Sequence, residues 1–207
     1  MGSVDPYVEA YKSMREGALY LFIAWILIGV GLASVIFSLV TTVFAGGFTA
    51  IIGALIGIII VLLIGAIIAL IGLWGKFLPG VRKLASINPD FSTASTLIYI
   101  GFFWGFIVML VGVALLIVFI GVFLIIVAVI LGILGDIGML IMCLKLNDLE
   151  KNSLYLVAGI LFILSIFLEI LGFIGWILLY VALGDSINKR MRAPAPAPAP
   201  ATSPSLV

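Results

Sequence analysis

The chain is 207 residues long, 65% hydrophobic and only 9% charged, with a formal net charge of +1. Soluble domains carry about 25% charged residues, so too few charges are present to cover a water-facing surface, and the near-neutral balance excludes a basic field for nucleic acid. A single cysteine, Cys143, rules out an intrachain disulfide, and the absence of histidine removes the commonest acid–base group and the commonest metal ligand.

The composition specifies an all-α, polytopic helical membrane protein. The N-terminal stretch "MGSVDPYVEAYKSMREGA" mixes acids and bases and leads into an apolar run far longer than a signal-peptide core, so it reads as the start of a signal-anchor helix. Within it, Tyr7, Tyr11, Met14 and Ala18 recur at helical spacing, with Glu9, Lys12, Arg15 and Glu16 between them. This predicts a short amphipathic helix on the membrane surface, with residues 1–16 as a surface segment.

From Gly17 to Gly75 no residue is charged. A span needs about 20 residues, so this run holds two spans, 17–44 and 48–77, parted by the glycine pair of "FAGGF". Trp74, Lys76, Arg82 and Lys83 are interface anchors, and Pro79 stops the helix. In the polar loop "PGVRKLASINPDFSTAS", Asp90 or Ser92 caps the next helix. Residues from Phe91 to Gly135 are again uncharged, giving spans at 95–119 and 122–146 with Gly121 as the only bend and Lys145 as an anchor. After the polar "LKLNDLEKNS", residues 153–184 read as one long fifth span, interrupted only by Glu169. The competing reading folds this run back at Glu169 into two legs of about 15 residues, roughly 22 Å each, too short to cross a normal core.

The expected organisation is therefore about five long transmembrane helices within 17–187, followed by a Pro/Ala-rich tail at 188–207. The alternating "APAPAPAPA" favours extended polyproline geometry or a disordered spacer. With five spans, Lys12, Arg15, Lys76, Arg82, Lys83, Lys145 and Lys151 share one side, which places the N-terminus in the cytoplasm. Lys189, Arg190 and Arg192 then fall on the opposite side, against the usual preference.

Only Asp136 and Glu169 put an ionisable group inside a span. An ionised carboxylate at a helix centre costs about 2.5–3.5 kcal/mol on insertion scales, and holding a glutamate protonated at pH 7 costs about 3.7 kcal/mol. The two are too close to decide its charge state. Glu169 shares a helical stripe with Ala158, Phe162, Ser165, Gly172 and Trp176; Asp136 shares one with Gly132, Met139 and Cys143, beside Gly135. Small residues let helices approach closely in lipid, so both carboxylates face other helices. Two readings follow: a proton or cation relay, or a structural carboxyl that is hydrogen-bonded across a helix interface or makes an interchain contact. Gly53 with Gly57, and Gly101 with Gly105, form GxxxG packing faces.

"ILGD" at 133–136 resembles the Gly-x-Gly-Asp site of intramembrane aspartyl proteases but lacks the first glycine, and no second intraspan aspartate completes a dyad. Serine or cysteine nucleophiles would have no base. No enzyme, cofactor or metal site is expected. The expected function is a non-enzymatic structural or assembly-forming membrane component packing through glycine-rich faces; the alternative is a small proton- or ion-coupled transporter or channel using Asp136 and Glu169. Partners are membrane lipids and a homo-oligomer or other membrane proteins, not nucleic acid.

The segments "MREGALYLFIAWILIGVGL", "LWGKFLPGVRKL" and "LEILGFIGWILLYVALG" resemble an archaeal membrane-protein family, domain of unknown function 973, over roughly residues 10–187. The resemblance implies an archaeal cell, vesicle or viral membrane and no established activity. No functional residue is carried over by it.

Overall fold

A computed structural model describes residues 5–45, 48–115 and 119–192. The expected turn glycines Gly46 and Gly47 and the tail after Arg192 lie outside the described residues. The first rod is α1 (Pro6–Ala45). The second joins α2 (Phe48–Leu70), a π-helical segment π1 (Ile71–Phe77) and α3 (Leu78–Ile87). The third joins α4 (Ser92–Ile98), a second π segment π2 (Tyr99–Trp104) and α5 (Gly105–Ala114). Then follow α6 (Ile120–Glu150), α7 (Ser153–Leu164) and α8 (Glu169–Arg192). Five of these rods are long and apolar enough to cross a membrane, and α7 has 12 residues.

Local chemistry explains most boundaries. The side chain of Asp5 accepts from Tyr7 N at 2.9 Å and opens α1. Asn88, extended ahead of Pro89, accepts from Asp90 N at 3.0 Å and separates the second and third rods. Asn152 does the same for α7 through Leu154 N at 3.1 Å. Pro79 does not stop its helix. It has no N–H to give to the previous turn, and the wider π1 turn directly precedes it, so the rod continues to Ile87.

Three further expectations change. The N-terminal amphipathic stretch is helical but is the first turns of α1, and its stripe of Tyr11, Met14 and Ala18 is fully buried in protein. A stripe that finds a protein partner has no need of the membrane surface. The third rod ends at Ala114 and α6 begins at Ile120, with Phe119 in the left-handed region, so Gly121 is not the bend but is buried in the first turn of α6.

The largest change is at 153–184, which is not one helix. Ser165 Oγ donates to the Phe162 carbonyl at 2.6 Å, tight turns close over residues 161–168, and α8 starts afresh at Glu169. Gly172 and Gly175 then let α8 lie back against α7: a Cβ on them would sit 3.1 Å from Ser165 Cβ and 3.2 Å from the Phe162 ring. The stripe that looked like one helix face is two faces pressed together.

The core lies at one end of the bundle. Tyr11, Phe77, Phe91, Met142, Tyr155 and Leu179 are buried there, where α1, α3, α4, α6, α7 and α8 meet. All ten lysines and arginines lie at this end, because the folded-back hairpin returns Lys189, Arg190 and Arg192 to the side of Lys145 and Lys151. Further out, among the described residues, α1 pairs with α2, and α5 with α6. Gly31 and Gly65 admit Val61 and Ile28 into the first pair, and Gly112 admits Ile125 into the second. The outward faces, including Phe37, Ile59, Leu63 and Phe123, are exposed.

Candidate functional site: a cleft between two carboxylates

Asp136 and Glu169 line one cleft of about 220 Å³. Its walls are Leu21 and Trp25 from α1, Leu73 from π1, Phe102 from π2, and Phe162, Ser165 and Trp176 from the hairpin. Fold-back makes this possible: in a straight helix Glu169 would lie far beyond the level of Asp136, whereas the hairpin turn ends beside it. Aromatic contacts fix the hairpin's depth. Phe22 stacks on Phe173 at 5.3 Å between ring centres, and Trp176 meets Phe77 at 4.9 Å and Phe162 at 5.0 Å. The cleft lies about midway along α6, with Asp136 half-buried in it and Glu169 exposed at its rim. From Asp136 to the start of α6 the helix runs about 24 Å further, at 1.5 Å per residue.

Neither carboxylate has a hydrogen-bonding or ionic partner among the described residues. This disfavours the cross-helix hydrogen bond and leaves the carboxylate oxygens to the cleft. The described residues contain no group of three or more Cys, Asp and Glu side chains placed to hold a metal. An apolar groove of about 310 Å³ adjoins the cleft, shares Leu73 and Phe102 with it, and continues past Gly105, Met109 and Gly132.

The predicted packing glycines divide. A Cβ on Gly101 would collide with the backbone of Gly135, one on Gly135 would meet the Phe102 ring at 2.9 Å, and one on Gly105 would meet Leu131 Cβ at 3.3 Å. These three close the third rod onto α6. Gly172 serves the hairpin, and a Cβ on Gly57 would sit at an ordinary 3.6 Å from Val35. A Cβ on Gly53 or Gly132 would meet no described neighbour within 4 Å.

The anchors divide too. Lys76 pairs with Glu16 at 2.7 Å, and Lys83 pairs with Glu9. Lys145 borders a surface recess with Asp90 and Asp148. Arg82 stacks its guanidinium 3.8 Å above the Tyr99 ring, and Trp74 packs on Phe103 and Phe106.

Sequence reasoning missed a polar clasp at the charged end. Glu150 is only 4% exposed. Its Oε1 accepts from Arg190 Nε at 2.8 Å, Arg190 Nη2 at 2.6 Å and Tyr11 Oη at 2.8 Å. Arg190 also donates to Asp5 at 3.1 Å, and Lys189 donates to the Glu150 carbonyl at 3.0 Å. Tyr155 and Ser186 share a buried hydrogen bond of 2.8 Å alongside. The clasp ties α1, α6 and α8 together. Half-buried Arg15 donates to Tyr180 at 3.1 Å and lies over its ring, packed on Gly184. No local signal marks these partners, since Asp5 and Arg190 are 185 residues apart.

Neither curated proteins nor solved structures give a match to this chain. A family model does, over residues 7–206, and its description is "Protein of unknown function (DUF973)". The match takes in every described helix, and the chain belongs to that family.

Proposed function

We propose that this is a non-enzymatic membrane protein that binds and passes a proton or small cation at the Asp136–Glu169 cleft. One observation carries the reading: Asp136, half-buried, and Glu169, exposed at the rim, line the same cleft between apolar helices, and neither has a partner among the described residues. Unpaired intramembrane carboxylates are costly and recur in ion and proton pathways. Ser165 adds a hydroxyl oxygen to the same wall. The charged end is proposed as the cytoplasmic face, because all ten basic residues gather there.

The test is flux across sealed liposomes that contain the purified full-length protein. Wild type is expected to dissipate an imposed pH or cation gradient. Asp136→Asn and Glu169→Gln should each slow this by about tenfold or more, the equivalent of about 1.4 kcal/mol. Equal rates in wild type and both variants would sink the proposal.

A structural or assembly role is the second reading, favoured by Gly53 and Gly132, where an added Cβ would meet no described neighbour within 4 Å. Cysteines placed at these two positions should cross-link between copies in the membrane if that role holds. Absence of any cross-link would count against it.

A further inference from the structure

A separate cavity of about 230 Å³ opens where π1 and α3 meet α4 and π2. It is lined by Trp74, Leu78, Pro79, Arg82, Tyr99 and Phe103. Both of its flanks carry the wider π-helical turns: Trp74 is on π1, and Tyr99 and Phe103 are on π2. Such turns are rare and concentrate at functional sites.

The side chains form a ladder. The Arg82 guanidinium lies 3.8 Å above the Tyr99 ring. Tyr99 stacks on Phe103 at 4.7 Å, and Phe103 leans on Trp74 at 5.1 Å. The stack holds one face of the guanidinium and leaves its in-plane N–H groups unspent. Its neighbours Lys76 and Lys83 are paired with Glu16 and Glu9. Arg82 has no acidic partner among the described residues. The Trp74 indole N–H, further along the same rod, also has no acceptor among the described residues.

Aromatic residues and arginine together are typical of the membrane–water boundary. A fixed guanidinium fork matches the oxygens of a phosphate, and basic pockets between transmembrane helices take lipid headgroups. The remaining wall, Leu78, Pro79 and Phe103, is apolar and suits the glycerol and first acyl carbons. We infer that this cavity binds the phosphate-bearing headgroup of a membrane lipid, with Arg82 holding the phosphate and the Tyr99–Phe103–Trp74 ladder seating the chain beneath it. The site is separate from the carboxylate cleft and does not depend on its function.

The experiment uses the full-length protein in a neutral detergent, titrated with phosphatidylglycerol carrying brominated acyl chains and followed by tryptophan quenching. Saturable quenching is expected, and Trp74→Phe should remove most of it. Arg82→Gln, at an exposed position, should weaken binding roughly fivefold or more. Lys83→Gln, which removes an equal charge one residue away, should leave it unchanged. Equal loss in both variants, or no loss in Arg82→Gln, overturns the site. Arg82→Lys binding as tightly as wild type would overturn the stacked-fork arrangement. Abolition of quenching by low-millimolar inorganic phosphate would assign the site to free phosphate and overturn the lipid.

Discussion

The two ends of this molecule are built on different principles. At the charged end six helical elements converge, the core side chains are fully buried, and a clasp of Asp5, Tyr11, Glu150 and Arg190 ties the termini together. At the far end two helix pairs stand with exposed apolar faces and no charged residue. In water the second arrangement would aggregate; in lipid it costs nothing, because acyl chains are as apolar as leucine. The protein therefore concentrates its tertiary specificity at one end and leaves the other to be solvated by the bilayer.

Breaking the clasp should have the largest effect. Glu150→Ala leaves Arg190 without its principal partner and should destabilise the fold by about 3–5 kcal/mol, read as thermal unfolding in detergent. A Glu150→Met, Arg190→Met double variant should recover much of that loss, since it buries no unpaired charge. Next comes Tyr11→Phe, which removes one hydrogen bond to the buried carboxylate and should cost about 1.5–3 kcal/mol.

Glycine substitutions sharpen the contrast between the ends. Gly101→Val collides with the Gly135 backbone and should cost about 1–3 kcal/mol, whereas Gly53→Val, facing open space, should stay within about 0.5 kcal/mol. Comparable losses at both positions would mean that the far end is as tightly packed as the core. The smallest effect is a gain. Lys151 caps α6 in the left-handed region, at φ 53°, with its N–H on the Asn147 carbonyl at 2.8 Å. Glycine adopts that conformation freely, so Lys151→Gly should stabilise by about 0.5–1 kcal/mol, visible as a small rise in Tm.

The helices were legible in the sequence because uncharged runs and Asn, Pro and Gly breaks are local signals. Asp136 and Glu169 stood out for the same reason, as the only ionisable groups in apolar runs. Their meeting did not, because it depends on whether residues 153–184 continue or turn back. Ala158, Phe162, Ser165, Gly172 and Trp176 lie on one face of a straight helix, yet they also make the two facing sides of a hairpin. Periodicity cannot separate these cases. What decides is the Ser165 hydrogen bond to Phe162 and the space above Gly172 and Gly175. The clasp was out of reach for another reason: Tyr11 and Glu150 are 139 residues apart, and nothing local to either names the other. Arg82 read as one more boundary anchor until its stacking on Tyr99 set it apart from Lys76 and Lys83.

The turn at 165–168 has a consequence for how the chain enters a membrane. Because that hairpin leaves by the end it entered, no charged side chain is stranded on the far side. The uncharged runs from Gly17 to Gly75 and from Phe91 to Gly135 likewise carry no basic residue. Carrying one lysine through the bilayer centre costs about 2.5–3.5 kcal/mol on insertion scales. This chain never meets that barrier. Its helices can enter as hairpins from one side without carrying a lysine or arginine across, and the basic residues stay together at the end where the fold is completed.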